Sequence, residues 1–462
     1  PSRTSLLTGQ YLMNHRSGRN GTPLDRRHTN IALEARKAGY DPALFGYTDT
    51  TPDPRGLHPN DPALTAYDEG VMPGFSTPLH LPEDMDQWVA DLIAKGYDLP
   101  AGRHDVFRPR PGFEKPADRG FRYIPTLFKA EESETAFLTD EFLKWLLVRR
   151  DKPWFAHFVF YRPHPPLIAP VPYNGLVHPA DVEFPVRAAS PAEAGEQHPL
   201  LNYAIGTLRQ PSTYDEHNPQ DLVAADELEI RQMRATYYGL IAEVDAQLGR
   251  IIQHLKDTGQ YERTLIIVTS DHGEVLGEHY VWGKEIYFDA AFHLPLVIRD
   301  PRPAADAARG RRIAAFTQAI DVMPTVLDWL GLEVPRSCDG ASLTPFLRGE
   351  TPPDWRNAVY FEHDFRDVRT QKPETALGIA SDQCAYAAIR DDRFKYVHFA
   401  ALPPLLFDIA NDPHEQVNLA NDPAYTEVAL DYARRMLDWR LSSGERELTN
   451  MSVGAGGLFV RK

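Results

Sequence analysis

A carboxylate and an imidazole follow a run of large apolar residues past the middle of the chain. Residues Leu265–Val268 read Leu-Ile-Ile-Val, and Asp271, His272 and Gly273 come shortly after them. An aspartate oxygen beside a histidine nitrogen can form part of the shell of a divalent cation such as Ca²⁺, Mg²⁺ or Mn²⁺. An ion pair or a helix cap would use the same dipeptide. The glycines around it favour a loop that wraps a ligand.

Three basic side chains could act beside such a cation. His164 lies among prolines in Arg-Pro-His-Pro-Pro, which stiffen the backbone and fix the direction of the ring. A fixed imidazole can protonate a leaving oxygen. Lys284 can fold back over the Asp271 loop and neutralise substrate oxygens, and Arg3 lies in a predicted first helix whose amides can hold an anion. The alternatives are a structural histidine and a solvated lysine.

Helices and short apolar strands alternate along the first three quarters of the chain. The clearest helix runs from about Asp226 to Gly259, with apolar residues at steps of three and four. This alternation predicts an α/β fold with a mainly parallel central sheet flanked by helices. The other predicted elements are helices over 30–38 and after a Thr139-Asp140 cap, strands over 43–45, 154–161, 265–268 and 294–298, and an ordered insertion over the sheet edge at 50–130.

The pattern changes after about Trp355. Short strands over 359–361, 386–389 and 394–397 look antiparallel, and a helix over 425–441 follows them. We therefore predict a catalytic α/β domain over 1–350 and a smaller C-terminal α+β subdomain over 351–445. Residues 446–462 lack strong periodicity and could form an arm that reaches a partner subunit.

Composition excludes several classes of protein. The 462 residues hold 49 basic and 65 acidic side chains, a net charge of −16, which argues against nucleic-acid binding. No apolar run is long enough for a transmembrane helix, so we expect no membrane contact. The two cysteines, Cys338 and Cys384, make no disulfide framework, and the simplest interpretation is a reducing compartment, hence the cytoplasm.

Taken together, the motifs resemble one enzyme family. Pro1-Ser2-Arg3 with Thr8-Gly9 resembles the core of the type I sulfatase signature, and Asp271–Glu274 resembles the second metal motif of that family. The stretch Leu406–Pro413 resembles its tail-domain motif. Within the alkaline phosphatase superfamily, further stretches resemble the bacterial phosphonate monoester hydrolases: Tyr11–Ser17, Asn20–Leu24, Gly46–Thr50 and Trp282–Lys284.

The resemblance implies a function and a set of site residues. Such enzymes cleave phosphonate monoesters, phosphodiesters and sulfate esters in one pocket, so a small anionic ester is the expected substrate. Asp271 and His272 would bind one divalent metal ion, and Arg3 would steady the nucleophile. Substrate contacts would come from Asn20, Tyr47, Thr48, His164 and Lys284, with the last two stabilising charge on the transferred group or the leaving oxygen. A bacterial homo-oligomer, dimer or tetramer, is also implied.

The nucleophile of this family is a formylglycine made from Cys or Ser, and its position would lie two residues before Pro1. We expect it, and the first metal carboxylates, in an upstream segment that this sequence does not contain. Neither Cys338 nor Cys384 lies in the signature context. The alternatives are a dedicated aryl or choline sulfatase, a phosphodiesterase with a Thr or Ser nucleophile and two metals, and an inactive binding or assembly homologue.

Overall fold

The computed structural model describes residues 1–64, 70–82, 84–99, 105–207 and 222–461. Its helices are α1 (Ser2–Thr8), α2 (Leu12–His15), α3 (Ile31–Lys37), α4 (Asp86–Ala94), α5 (Glu134–Leu147), α6 (Pro191–Glu196), α7 (Pro199–Thr207), α8 (Glu227–Asp257), α9 (Asp289–Phe292), α10 (Val322–Trp329), α11 (Thr344–Leu347), α12 (Lys372–Leu377) and α13 (Thr426–Ser442). Its strands are β1 (Pro42–Gly46), β2 (Ser76–His80), β3 (Phe155–Phe158), β4 (Ile266–Thr269), β5 (Leu296–Arg299), β6 (Val359–Asp364), β7 (Ala385–Arg390), β8 (Phe394–Phe399), β9 (Leu405–Asp408), β10 (Met451–Gly454) and β11 (Gly457–Val460).

The parallel sheet has the order β2-β1-β3. The predicted strands over 43–45 and 154–161 are therefore confirmed as neighbours. The prediction for residues 50–130 was incomplete, because this insertion supplies β2 as a strand of the sheet besides covering its edge. Its sequence, Ser-Thr-Pro-Leu-His, carries little apolar periodicity, since only Leu79 is buried.

A second pair of strands, β4 and β5, carries the Asp271 loop. Both strands were predicted, and β5 runs antiparallel to β4, a direction that the prediction of a mainly parallel sheet left open. Alternate residues of β3 and β4 contact different apolar clusters. Ala156, Phe158 and Ile266 pack toward α5 and α8, and Phe155 and Ile267 pack toward α1 and α10. Helices thus cover both faces of the strands.

A groove of about 780 Å³ runs along β3 and β4. Both strands line it over their whole length, together with α8 and with α1 and α10. Among the described residues, β3 forms a ladder only with β1, and β4 only with β5. One edge of each strand therefore offers backbone hydrogen-bonding groups to the groove, whose side walls are apolar.

The helix predictions hold with one correction. The long helix α8 matches the predicted span, and Asn30 caps α3 by accepting from the amides of Ala32 and Leu33. Helix α5, however, begins before the predicted Thr139 cap. Ser133 is its cap, and Thr139 lies inside the helix and donates to the carbonyl of Thr135. The described part of the chain contains no helix long and apolar enough to cross a bilayer.

The C-terminal region forms an antiparallel sheet of order β6-β7-β8-β9, against which α13 packs. The smaller α+β unit is confirmed, although β9 was not recognised as a strand. Apolar residues of this sheet, such as Val397 and Phe407, share one core cluster with Tyr287 and Phe288 of the catalytic region. The domain limits at 350 and 445 stay a prediction. The expected arm contains an exposed hairpin, β10–β11.

Candidate active site

An ion pair joins the first helix to the carboxyl end of β4. Arg3 donates from Nε to Asp271 Oδ2 at 2.7 Å, and the Ser2 hydroxyl donates to the backbone carbonyl of Asp271. Burial alone would raise the pKa of Asp271, but the charges of Arg3, His272 and Lys284 outweigh it and hold that pKa well below its usual range. Asp271 is therefore ionised at neutral pH and can bind a cation.

One ring nitrogen of His272 lies near the Asp271 carboxylate. Its Nδ1 lies 2.8 Å from the carbonyl of Gly273, which can only accept, so the proton is on Nδ1. The lone pair of Nε2 then faces Lys284 Nζ at 2.8 Å and lies 3.8 Å from Asp271 Oδ1. Burial lowers the pKa of His272, and Lys284 lowers it further against the opposing effect of Asp271. A neutral imidazole with a free Nε2 is the form that binds metals.

The chain after His272 turns back so that Lys284 reaches this point. The amide of Val275 donates to the carbonyl of Gly283 at 3.0 Å, and the amide of Gly283 donates to the Glu274 carboxylate. Gly273 makes the close approach possible, because a Cβ there would lie 2.0 Å from the carbonyl oxygen of Ala290. Lys284 therefore lies over the loop that carries Asp271 and His272, as the sequence predicted.

The donor set suits one divalent cation. Asp271 Oδ1 and His272 Nε2 are near enough to bind the same ion, and their hard oxygen and imidazole nitrogen suit Ca²⁺, Mg²⁺ or Mn²⁺. Within the described ranges no group of three or more His, Cys, Asp or Glu side chains could hold a metal. A metal ion bound by Asp271 and His272 would therefore need further ligands.

Tyr47 and Thr48, which follow β1, have different surroundings. The Arg3 guanidinium lies 4.4 Å above the Tyr47 ring, and its Nη2 is 3.4 Å from the Tyr47 hydroxyl. Burial raises the pKa of Tyr47 despite the nearby Arg3 charge, so its hydroxyl stays protonated. Thr48 is fully buried and bonded to backbone, donating to the carbonyl of Gly70 and accepting from the amide of Met72. Its hydroxyl fixes the insertion, and contact with substrate stays a prediction.

His164 is half-buried on the loop after β3. Its Nδ1 lies 2.7 Å from the Pro165 carbonyl, which places the proton on Nδ1 and leaves Nε2 as an acceptor. Burial, with a further contribution from the Lys284 charge, lowers the pKa of His164 to about 3. The imidazole is therefore neutral before any substrate enters.

One predicted site residue, Asn20, lies apart from the others. Two residues near the site, Asp49 and His157, were not among the predicted site residues. Asn20 is exposed in a turn, and within the described residues no hydrogen bond or ion pair links it to the Arg3–Asp271 pair. Asp49 has a left-handed backbone with φ 57° and interacts electrostatically with Arg3. His157 of β3 lines the groove, and burial lowers its pKa to about 4. Asp49 lies within the Gly46–Thr50 stretch that carried the family resemblance but was given no role there. No local sequence pattern distinguishes His157, because only the strand packing brings it to the groove.

Comparison with known proteins now identifies the class. A model of the sulfatase family matches residues 1–332, and a model described as N-sulphoglucosamine sulphohydrolase, C-terminal, matches residues 277–442. The chain belongs to the sulfatase family. It contains the Asp271 loop after β4 and the smaller antiparallel C-terminal sheet.

Particular relatives are bacterial. The multifunctional alkaline phosphatase superfamily protein PehA of Trinickia caryophylli is 45% identical over 462 residues, which are 100% of this chain and 88% of that protein. The phosphonate monoester hydrolase of Agrobacterium radiobacter superimposes with a TM-score of 0.93 at 44% identity, covering 100% of this chain and 90% of that one. The phosphonate monoester hydrolase SpPMH from Silicibacter pomeroyi gives a TM-score of 0.92 at 42% identity, with 100% and 89% covered.

Replacing Gly273 with alanine should displace the metal loop, because the new Cβ would collide with the Ala290 carbonyl. We expect Mn²⁺ or Ca²⁺ affinity, measured by isothermal titration calorimetry, to fall by about 10- to 100-fold, as when a supporting contact of a metal site is lost. Gly249→Ala is the matched control, because that glycine of α8 has open space around its Cβ position. Unchanged affinity in the Gly273→Ala variant would contradict the analysis of this loop.

Proposed function

We propose that this protein is a metal- and formylglycine-dependent hydrolase of phosphonate monoesters and phosphodiesters with additional sulfatase activity. The observation that carries the proposal is the meeting of Lys284 Nζ with His272 Nε2 at 2.8 Å, beside the ionised Asp271. A metal site with a fixed ammonium beside it suits an anionic ester. Two relatives at 42% and 44% identity are named phosphonate monoester hydrolases, which supports the first of these substrates.

Two groups outside this sequence would complete the chemistry. A divalent ion held by Asp271 and His272 would supply Lewis-acid activation, and a formylglycine two residues before Pro1 would supply the nucleophile. Arg3 would hold the chain at that position, because its guanidinium is itself held by Asp271 and by the Tyr47 ring. Tyr47 would contribute a protonated hydroxyl to the pocket wall, and Asn20 would need to move inward to contact substrate.

Lys284 would stabilise negative charge, and His164 would transfer a proton. The Lys284 ammonium places a positive charge beside the oxygens of the transferred group, where negative charge grows in the transition state. His164 is neutral in the free protein because burial and Lys284 lower its pKa. An anionic ester would offset the Lys284 charge and raise that pKa. The proton gained would lie on Nε2, opposite the Pro165 bond, and pass to the leaving oxygen.

The groove along β3 and β4 supports the proposal that an upstream segment of the same chain supplies the nucleophile and the further metal ligands. The free edges of the two strands provide backbone donors and acceptors, and the helices on both sides provide apolar walls. An extended strand would satisfy both at once. We propose that residues preceding Pro1 form this strand, whose end would bring further carboxylates to Asp271.

Peptide mass spectrometry of the full-length protein tests the nucleophile. We expect the peptide that spans Pro1 to carry, two residues before it, a cysteine-encoded residue lighter by the replacement of its thiol with an aldehyde. Trapping that aldehyde with a hydrazide should label the same peptide. An unmodified residue in enzyme that hydrolyses its ester substrates would exclude formylglycine as the nucleophile.

Lys284→Ala tests the substrate assignment together with the role of the ammonium. Wild-type enzyme should cleave both an aryl phosphonate monoester and an aryl sulfate. The variant should lose about 100- to 1000-fold in kcat/KM on both, equivalent to about 3–4 kcal/mol of transition-state stabilisation. Lys144→Ala is the control, since Lys144 is exposed on α5 and pairs with Glu141. Cleavage of the sulfate alone by wild-type enzyme would favour a dedicated sulfatase.

We also propose that the protein is a homo-oligomer held by its C-terminal hairpin. Met451, Val453, Leu458 and Val460 share one face of β10–β11 and are exposed, Val453 by 82%. Helix α13 carries a second exposed apolar row, Leu430, Leu437 and Leu441. The hairpin of one copy on the helix row of another would make a reciprocal contact, which closes a symmetric dimer. A bacterial cytoplasmic location is proposed with it, supported by two free thiols and bacterial relatives.

Val453→Asp should weaken this assembly, because a charge in an apolar contact loses its hydration. We expect a shift toward monomer in light scattering coupled to size-exclusion chromatography, with the wild-type unfolding temperature retained. Val368→Asp serves as the control, since Val368 is equally exposed, by 81%, away from the hairpin. An unchanged mass for Val453→Asp would place the subunit contact elsewhere or show a monomer.

A further inference from the structure

The loop that carries His164 is held by an arginine beneath it. Arg162 donates from Nη1 to the carbonyl of His164 at 2.9 Å and to the carbonyl of Pro166 at 2.7 Å. The Tyr161 hydroxyl donates to the carbonyl of Pro165 at 2.8 Å. The backbone on both sides of the imidazole is thus fixed by side chains, and Arg162 supplies two of these bonds.

Arg162 is itself fixed by a carboxylate on another element. Its Nε lies 2.8 Å from Oε1 of Glu134, the first residue of α5, and the two side chains are 1% and 2% exposed. The guanidinium also lies 4.4 Å above the ring of Phe107. A chain of contacts therefore runs from the start of α5 through Arg162 to the backbone of His164.

A second buried carboxylate lies beside this pair. Glu243 of α8 is 1% exposed, and burial, with the charge of Glu134, raises its pKa to about 8. Glu243 is thus neutral at neutral pH, and the Arg162 charge is balanced by Glu134. Within the described residues, Oε2 of Glu134, Nη2 of Arg162 and Oε1 of Glu243 have no hydrogen-bond partner.

Such a pair is an inefficient way to stabilise a core. Desolvating two charges costs about as much free energy as their attraction returns, and apolar residues of similar volume often serve equally well. What apolar residues cannot do is hold two carbonyls of a proline-rich loop in a fixed direction. The planar guanidinium, locked by Glu134, does this with bonds of defined geometry.

We propose that Glu134 and Arg162 are positioning residues that hold His164 Nε2 against the leaving-group oxygen. This inference rests on the proposed function, in which His164 passes a proton to that oxygen. Neither residue contacts the reacting atoms. Their loss should therefore affect the step that depends on His164 more than it affects substrate binding.

The test is the leaving-group dependence of kcat in the full-length, metal-loaded enzyme. Aryl phosphonate monoesters with phenols of graded acidity separate protonation of the leaving oxygen from the other steps, because poor leaving groups need the proton most. His164→Ala should lose most activity on the poorest leaving group and least on the best. Glu134→Gln should show the same trend, with kcat lowered by about 100-fold on the poorest and KM nearly unchanged, as expected for a misplaced catalytic group.

Glu229→Gln is the matched control. Glu229 of α8 forms another buried pair, with Arg122 at 3.7 Å, and accepts from the amide of Phe121. Among the described residues, no hydrogen bond or ion pair joins it to the His164 loop. It should reduce thermal stability without changing the leaving-group dependence. If Glu134→Gln does not fold, the double variant Glu134→Leu, Arg162→Met replaces the pair by apolar side chains and should show the same leaving-group effect.

The outcomes separate the two proposals. If His164→Ala shows the trend and Glu134→Gln or the double variant does not, the positioning role is wrong and the proposed role of His164 stands. If Glu134→Gln lowers kcat equally on all leaving groups, as a general loss of structure would, the positioning role is also wrong. If His164→Ala shows no trend, the assignment of His164 fails and this inference fails with it.

Discussion

The bond between Arg3 and Asp271 is the interaction on which the rest of the site depends. It connects α1 to the carboxyl end of β4, two elements separated by most of the catalytic region. The guanidinium is the largest of the charges that hold the pKa of Asp271 below its usual range against the effect of burial, and it thereby keeps the carboxylate ionised. The same guanidinium lies over Tyr47 after β1. One side chain therefore holds together the ends of two strands that do not pair with each other.

The C-terminal sheet supports the metal loop from outside. Gly273 donates to the carbonyl of Ala291 in α9, and Asp289 at the start of α9 accepts from the buried ammonium of Lys395 in β8. Lys395 also donates to Glu415, whose carboxylate accepts from the amide of Asp289. Because each of these groups is buried and paired, the position of α9 is closely defined. The smaller unit thus helps to define the position of the Asp271 loop.

The groove along β3 and β4 shows how the site depends on the sheet. Strand ends place His164 and Asp271 on one side of the molecule, and the groove runs between the strands that carry them. Its apolar walls are made by helices that α/β folds normally pack against a continuous sheet. The helices on both sides of the groove therefore help to set how far apart those two strand ends lie.

Sequence reasoning predicted the class of fold, the Asp271–His272 pair that we propose as metal ligands and the return of Lys284, because each depends on local features. Periodicity over a long helix, a run of β-branched residues, and glycines beside Asp271 all act within a few residues of the chain. Strands β6, β7 and β8 were predicted for the same reason, whereas β9 was taken only as a family motif and the hairpin β10–β11 was not predicted. Strand β2 escaped prediction because its edge position leaves most of its side chains polar or exposed.

Tertiary structure decided the features that depend on distant partners. The direction of β5, the burial of Thr48 against Gly70 and the exposure of Asn20 follow from packing between elements far apart in sequence. The neutral state of His164 and the Glu134–Arg162 pair beneath it have the same origin. The pKa of a side chain and the formation of a buried ion pair depend on the groups and the solvent around that side chain. The order of residues along the chain does not by itself specify those surroundings.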